Sequence, residues 1–99
     1  MNDAQDSAAA GEIRRTVTIC NKRGLHARAA ARFVKLAWQF DAEVTVRKNG
    51  SAVSGRSIMG LMMLAAGPGT DIELIATGRE AERAVAALAD LVGGGFDEE

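Results

Sequence analysis

The segment EVTVRKNGSAVS, Glu43–Ser54, contains two short strand-like runs separated by Asn49-Gly50. Asparagine and glycine tolerate the positive φ angles that both central residues of a type I′ turn require. A two-residue connection of this kind joins antiparallel strands. The segment therefore predicts a β-hairpin with strands at 43–48 and 51–54, and it makes at least part of the sheet antiparallel.

One further strand is predicted on each side of the hairpin. In 13–20, Ile13, Val17 and Ile19 share one parity, which is the period of a half-buried strand. The run DIELIA, 71–76, alternates in the same way, with Ile72 and Leu74 on one face. The chain therefore carries four predicted strands.

Helical spacing predicts three helices between and after these strands. The first, about 27–39, has one apolar face and one basic face; the apolar residues are Ala30, Phe33, Val34, Ala37 and Phe40, and the polar ones are Arg28, Arg32, Lys35 and Gln39. A short helix follows Ser57, and GPGT ends it. The last runs from about 79 to 92, where Thr77 and Glu80 fit a capping box. The order β-α-β-β-α-β-α predicts an α+β, two-layer sandwich with one sheet face open to water.

Composition limits the class of protein. With 99 residues the chain is one small domain. Twelve basic and thirteen acidic side chains give a net charge of -1, which provides no global electrostatic footprint for nucleic acid. Nine of the twelve basic residues lie between Arg14 and Lys48, so a local basic face is permitted. Residues 1–12 are expected to be a disordered extension, and 93–99 a frayed acidic tail.

Cys20 is the only cysteine, so no disulfide can form within the chain. We expect a small, buried thiol in a reducing compartment. One cysteine and one histidine make a metal centre improbable. No secretory signal and no apolar run of membrane-spanning length is seen, which favours the cytoplasm and no membrane partner.

His26, the only histidine, precedes the first predicted helix. The free N–H groups and positive dipole end of a helix start favour an anion beside the imidazole. Arg28 supplies a forked donor suited to phosphate, and Gly24 permits a tight turn into the helix. An exposed neutral imidazole at that position could accept and hold a phosphoryl group. From spacing alone, a solvated cap residue is the commoner interpretation of such a histidine.

Two segments carry a family resemblance. NKRGLHARAAARFV, 21–34, looks like the active-site segment of the HPr family, the histidine-containing phosphocarriers of the bacterial phosphotransferase system. GRSIMGLMMLAA, 55–66, resembles the family's second signature, around its regulatory serine. The resemblance covers 13–92 and implies an open-faced β-sandwich: a four-stranded, mainly antiparallel sheet with three helices on one face.

The resemblance implies a stoichiometric carrier rather than an enzyme. His26 takes a phosphoryl group on Nδ1 from phosphorylated enzyme I, which obtained it from phosphoenolpyruvate. Arg28 stabilises that group, and His26 passes it to a histidine of an enzyme IIA domain. No cofactor or metal stays bound. The branch, sugar uptake or nitrogen-type regulation, is left open, and a diffusing monomer is expected.

The second signature implies regulation and docking. Ser57 matches the regulatory phosphorylation site, which a kinase/phosphorylase of the family modifies in some bacteria, although a helix cap alone explains a serine here. The partner-binding positions implied are Ala27, Lys35, Ile58, Met59 and Met62. At helical spacing, Ile58, Leu61, Met62 and Ala65 can form one apolar stripe. Trp38 is expected to be partly buried against the core, with contact to a partner as the lesser alternative.

One departure and two alternatives complete the interpretation. Ala29 stands where the family usually has proline after the arginine; the helix should still start, with an altered transfer rate or phosphohistidine lifetime. The chain could instead be a regulatory module of this fold that acts by docking alone. A nucleic-acid-binding domain using Arg28, Arg32 and Lys35 is disfavoured by the acidic charge balance and the scarcity of aromatic residues.

Overall fold

The computed structural model describes residues 11–98. Its four strands form one sheet: β1 is Glu12–Thr18, β2 Glu43–Lys48, β3 Ser51–Ser54 and β4 Asp71–Thr77. The sheet order is β1-β4-β2-β3, and each neighbouring pair is antiparallel. Because β4 lies between β1 and β2, the last strand in the chain joins the two halves of the sheet.

Three α-helices connect or follow these strands. They are α1 (Ala27–Ala37), α2 (Ile58–Met63) and α3 (Ala81–Gly93), and a short 3₁₀ segment, Gly95–Asp97, comes after α3. The predicted order β-α-β-β-α-β-α is confirmed, as is the α+β open-faced sandwich. Helix α1 ends at Ala37, two residues before the predicted end.

The hairpin turn has the predicted backbone. Asn49 and Gly50 have φ angles of 48° and 90°, and Lys48 is paired with Ser51 across the turn. Positive φ at both central residues is the requirement of a two-residue turn matched to strand twist. The two strands therefore stay in register for the whole length of β3.

The core lies between the sheet and the helical layer. Alternate residues of β2 and β4 are buried, and they meet the apolar faces of α1 and α3; the central members are Val46, Ile72, Leu74, Phe33 and Leu88. The opposite sheet face carries ion pairs that join Glu73 to Arg14 and Arg47, at 3.4 and 3.5 Å. A polar outer face and an apolar inner face are typical of an antiparallel sheet covered on one side.

The capping box predicted for α3 is wrong. The N-cap of α3 is Glu80 itself, and its side chain makes no cap hydrogen bond. Its Oε1 instead accepts from the Asp41 backbone N–H at 2.8 Å. Since the helix begins at Ala81, the box position that Glu80 should occupy is taken by Arg83, and Thr77 remains in β4.

The expectation of a frayed C-terminal end is wrong for 95–98. Phe96 is fully buried and belongs to the core cluster. Arg32 of α1 donates to the Phe96 carbonyl, which ties the segment to the first helix. The buried ring therefore fixes the end of the chain against α1. Of the predicted N-terminal extension, 1–10 lie outside the described residues, while Glu12 already belongs to β1.

Two exposed side chains differ from expectation. Cys20 is exposed rather than buried, because Ile19 takes the inward position just after β1 and the next residue faces outward. Its Sγ lies 3.4 Å from the Val92 carbonyl oxygen. Trp38 is 59% exposed, with the Arg56 guanidinium 4.0 Å from its ring centroid. A cation–π pair of this kind stabilises an aromatic ring without burying it.

Within 11–98, every helix is too short or too polar to cross a bilayer. The same part of the chain contains no group of three or more histidine, cysteine, aspartate or glutamate side chains that could hold a metal ion.

Candidate functional site

His26 is the N-cap residue of α1. Its backbone is extended, with φ -77° and ψ 178°, and its carbonyl accepts from the Ala30 N–H at 2.9 Å. The ring Nδ1 accepts from the Arg28 backbone N–H at 3.3 Å. Nδ1 therefore faces the amino end of the helix, where the helix dipole and free N–H groups favour negative charge.

The loop before His26 is held against the segment that follows α2. The Leu25 N–H donates to the Ala66 carbonyl at 3.0 Å. Gly24 has φ +64°, and a Cβ there would lie 2.4 Å from the same carbonyl oxygen. Only glycine fits so close to a neighbouring backbone in this conformation, so Gly24 sets the position from which His26 enters the helix.

The other ring nitrogen of His26 contacts the end of the chain. Nε2 lies 2.5 Å from Glu98 Oε2, and the Asn21 side-chain amide donates to Glu98 Oε1 at 3.1 Å. Hydrogen bonds from Asn21 and then His26 lower the pKa of Glu98 from its ordinary value. The ring is less exposed than predicted, with 16% of its side-chain surface accessible. Solvent access to the imidazole is therefore restricted.

Cationic side chains outnumber acidic ones in the cavity that contains the imidazole. His26 lines this cavity of about 570 Å³ together with four cationic residues, Lys22, Arg23, Arg28 and Arg32, and two acidic ones, Asp97 and Glu98. The side chain of Arg28 is exposed, so an anion in solution could reach it. Four positive and two negative side chains leave the cavity with an excess of positive charge, which favours an anionic ligand.

Sequence reasoning found His26 and Arg28 but missed several residues of this cavity. Lys22 and Arg23 stand four and three places before His26, so their proximity was a usable signal. Asn21 and Glu98 gave no signal of this kind, because their contact spans 77 positions of sequence. The burial of Phe96 and the Arg32 hydrogen bond to its carbonyl bring Glu98 to the first helix.

Ser57 caps α2, as the sequence predicts. Its Oγ accepts from the Gly60 backbone N–H at 2.9 Å, and its backbone is extended, with φ -114° and ψ 108°. Ser57 as a residue is partly exposed. A phosphate on this oxygen would sit at the amino end of a short helix, beside Arg56 in the sequence.

The predicted docking residues of α2 face outward. Ile58, Met59 and Met62 are exposed by 41, 70 and 43%, and Met63 by 76%. The predicted stripe is wrong in its members: within α2, Leu61 alone is buried, and Leu64 after the helix continues the inward face. We call the exposed residues 58, 59, 62 and 63 the α2 patch. Ala27 and Lys35 are also exposed, on α1, which packs against α2.

Comparison with known proteins defines the class to which this fold and site belong. The family model described as the PTS HPr component phosphorylation site matches residues 13–93. The chain is 52% identical over 86 residues to the phosphocarrier protein HPr of Neisseria meningitidis, covering 87% of this chain and 97% of that one. It is 42% identical over 88 residues to the phosphocarrier protein NPr of Escherichia coli, covering 88% and 98%.

Comparison with a solved structure agrees with the sequence matches. The HPr-C-His protein of Thermoanaerobacter tengcongensis superposes with a TM-score of 0.84 at 42% identity, covering 88% of this chain and 98% of that one. The chain belongs to the HPr family of phosphocarrier proteins of the phosphotransferase system.

Proposed function

We propose that His26 accepts a phosphoryl group on Nδ1 from phosphorylated enzyme I and passes it to a histidine of an enzyme IIA domain. The observation that carries this proposal is the position of Nδ1: it faces the amino end of α1 within a cavity lined by four cations. A phosphoryl group bonded to that atom would meet the Arg28 N–H and the positive end of the helix.

The chemistry needs few groups from this chain. The Nδ1 lone pair attacks phosphorus while the bond to the donor breaks, so no base has to remove a proton from the nucleophile. Cationic side chains and backbone N–H groups stabilise the charge on the phosphoryl oxygens. The product is a phosphohistidine that persists until an acceptor arrives, which is carrier behaviour rather than turnover.

The α2 patch supports a docking role beside this site. Four adjacent apolar side chains exposed on one short helix are a recognition surface, and methionine adapts its shape to more than one partner. Lys35 and Arg28 add positive charge on α1, which steers encounter with acidic surfaces. A carrier that must leave its donor and find its acceptor needs a small, transient interface of this kind.

We propose Ser57 as a site of regulatory phosphorylation by a kinase/phosphorylase of the HPr type. The partial exposure of the residue supports access by a kinase, and the amino end of α2 would tolerate the added charge. The α2 patch begins at the next residue, so the phosphate would repel acidic partners at the docking surface itself.

Incubation with enzyme I and phosphoenolpyruvate tests the carrier role. The intact protein should gain one acid-labile, alkali-stable phosphoryl group, located on His26 by peptide mass spectrometry. His26→Ala should gain none while keeping the wild-type circular dichroism spectrum. Labelling of His26→Ala to the wild-type level would contradict the proposal.

The same experiment separates the docking-only alternative, for which a competent donor leaves the protein unmodified. Offering the labelled protein to enzyme IIA domains of the sugar and nitrogen types then distinguishes the two branches. Relatives named HPr and NPr are both similar over nearly the whole described domain, so both acceptors belong in the experiment. The preferred acceptor should remove the label from His26 faster than the other.

A further inference from the structure

We infer that Glu98 is a positioning residue for phosphoryl transfer: its carboxylate holds the proton on His26 Nε2 and so leaves Nδ1 as the nucleophilic nitrogen. Asn21 orients Glu98 in turn. This inference rests on the proposed function, since it assigns a role in the transfer at His26. It concerns a residue near the chain end, outside both segments that carry the family resemblance.

Two independent contacts select the same form of the ring. A carboxylate can only accept, so the 2.5 Å contact between Glu98 Oε2 and Nε2 requires a proton on Nε2. The Arg28 backbone N–H can only donate, so its contact with Nδ1 requires a lone pair there. The two contacts lie on opposite ring nitrogens, and together they specify the neutral tautomer that can attack through Nδ1.

Glu98 is itself held in place from three directions. The Asn21 amide donates to Oε1, while Oε2 faces His26. Asn21 is 5% exposed and also donates to the Gly24 carbonyl at 2.9 Å, which couples it to the turn before His26. The buried ring of Phe96 fixes the backbone two residues before Glu98. A side chain with these supports is oriented before the donor arrives.

The positioned carboxylate acts on the charge that the transfer creates. As the Nδ1 lone pair forms the N–P bond, the bond from phosphorus to the donor breaks and its electron pair stays on the donor. The ring becomes positively charged, with its proton still on Nε2 and facing Glu98. In the onward step the N–P electron pair returns to Nδ1. Since the carboxylate stabilises the charged ring more than the neutral one, it should accelerate the phosphorylation of His26 and slow the onward step, which starts from the charged ring.

The test compares Glu98→Gln and Glu98→Ala with Asp97→Asn in the full chain. Asp97 is the matched control, because it lines the same cavity and carries the same charge, but among the described residues Glu98 alone has its carboxylate on the His26 ring. Phosphoramidate, a small phosphoryl donor, is used beside phosphorylated enzyme I so that docking does not enter the measurement. With both donors the two Glu98 variants should be labelled about tenfold more slowly, the size expected of one partly exposed charge-assisted hydrogen bond.

A spectroscopic signal separates positioning from general stability. In ¹⁵N-edited NMR the wild-type protein and Asp97→Asn should show a slowly exchanging proton on Nε2 of His26. Glu98→Ala should lose that resonance, and Glu98→Gln should show it with faster exchange. With enzyme I as donor, the rate at saturating donor should fall while the donor concentration at half-maximal rate stays constant.

Several results would overturn the inference. Wild-type rates in both Glu98 variants would show that the carboxylate does not assist the transfer. Faster labelling would show that the tail only covers His26. An equal loss in Asp97→Asn would assign the effect to net charge. If neither donor labels the wild-type protein, the proposed function itself is contradicted. If the wild type is labelled and the Glu98 variants are labelled equally fast, only the role of Glu98 is contradicted.

Discussion

The hydroxyl of Ser57 serves the fold and, in the proposed regulation, the docking surface, and two substitutions separate these roles. Ser57→Ala removes the acceptor for the Gly60 N–H and should lower the free energy of unfolding by about 1 kcal/mol. Ser57→Asp keeps an acceptor and should remain near wild-type stability, while its charge beside Met59 slows labelling by enzyme I. Urea unfolding and labelling over a range of enzyme I concentrations measure both effects.

Phosphoramidate provides the control for these variants. Both should be labelled at His26 as fast as the wild type, because neither change touches the cavity around the ring. The regulatory role is contradicted if enzyme I labels Ser57→Asp at the wild-type rate.

The structural roles of single residues were predictable from the sequence where those roles depend on residues close by in the sequence. His26 and Ser57 cap helices whose starts are encoded within a few residues, so their positions followed from the sequence. Glu98 was not predictable, since its partner His26 lies 72 positions away. Cys20 was misplaced because the usual burial of cysteine was preferred to the alternation, which puts Cys20 on the outward parity next to inward Ile19.

At the scale of elements, the C-terminal 3₁₀ segment links the core to the site. Phe96 and Asp97 both have positive φ, at 58° and 61°, and the chain thereby turns back toward α1. Apolar alternation and helical spacing do not predict a three-residue turn of this kind. The hairpin, in contrast, is predicted by its Asn-Gly turn residues. Hence the sheet and the helices were predictable and the closing segment was not.

The contact between this segment and α1 should depend on pH. Hydrogen bonds from Asn21 and His26 lower the folded-state pKa of Glu98 below its ordinary value of 4.5. A lowered carboxyl pKa means that the unfolded chain binds more protons in this range, so stability is gained above the ordinary value and lost as pH falls through the lower, folded one. Wild type should therefore exceed Glu98→Gln in free energy of unfolding near neutral pH, and the difference should shrink below about pH 4.5.

Urea unfolding of the two proteins at a series of pH values measures this difference. Asp97→Asn is the reference for loss of one carboxylate from the same segment. A difference that grows as the pH falls would contradict the sign of the shift, and so would equal stability of wild type and Glu98→Gln at neutral pH.

Across the whole molecule, polar and apolar surfaces are assigned to different faces. The open sheet face carries the ion pairs of Glu73, whereas the α2 patch and the cationic cavity belong to the helical layer. A carrier must present its nucleophile and its docking surface to the same partner at once. In the proposed function the open-faced sandwich meets that need, because His26 caps α1 and the exposed α2 patch lies on a helix packed against α1.

A charge placed in the α2 patch should therefore weaken docking and leave the chemistry intact. Met59 is 70% exposed, so Met59→Asp should change the free energy of unfolding by no more than about 0.5 kcal/mol. A desolvated carboxylate at an apolar contact should raise the enzyme I concentration at half-maximal labelling by about tenfold. Ala86→Asp, on the exposed face of α3, is the matched control, since it adds the same charge away from α2. Phosphoramidate should label both variants at the wild-type rate. If Met59→Asp and Ala86→Asp respond alike to enzyme I, net charge rather than the α2 patch governs the encounter, and the docking surface must lie elsewhere on the helical layer.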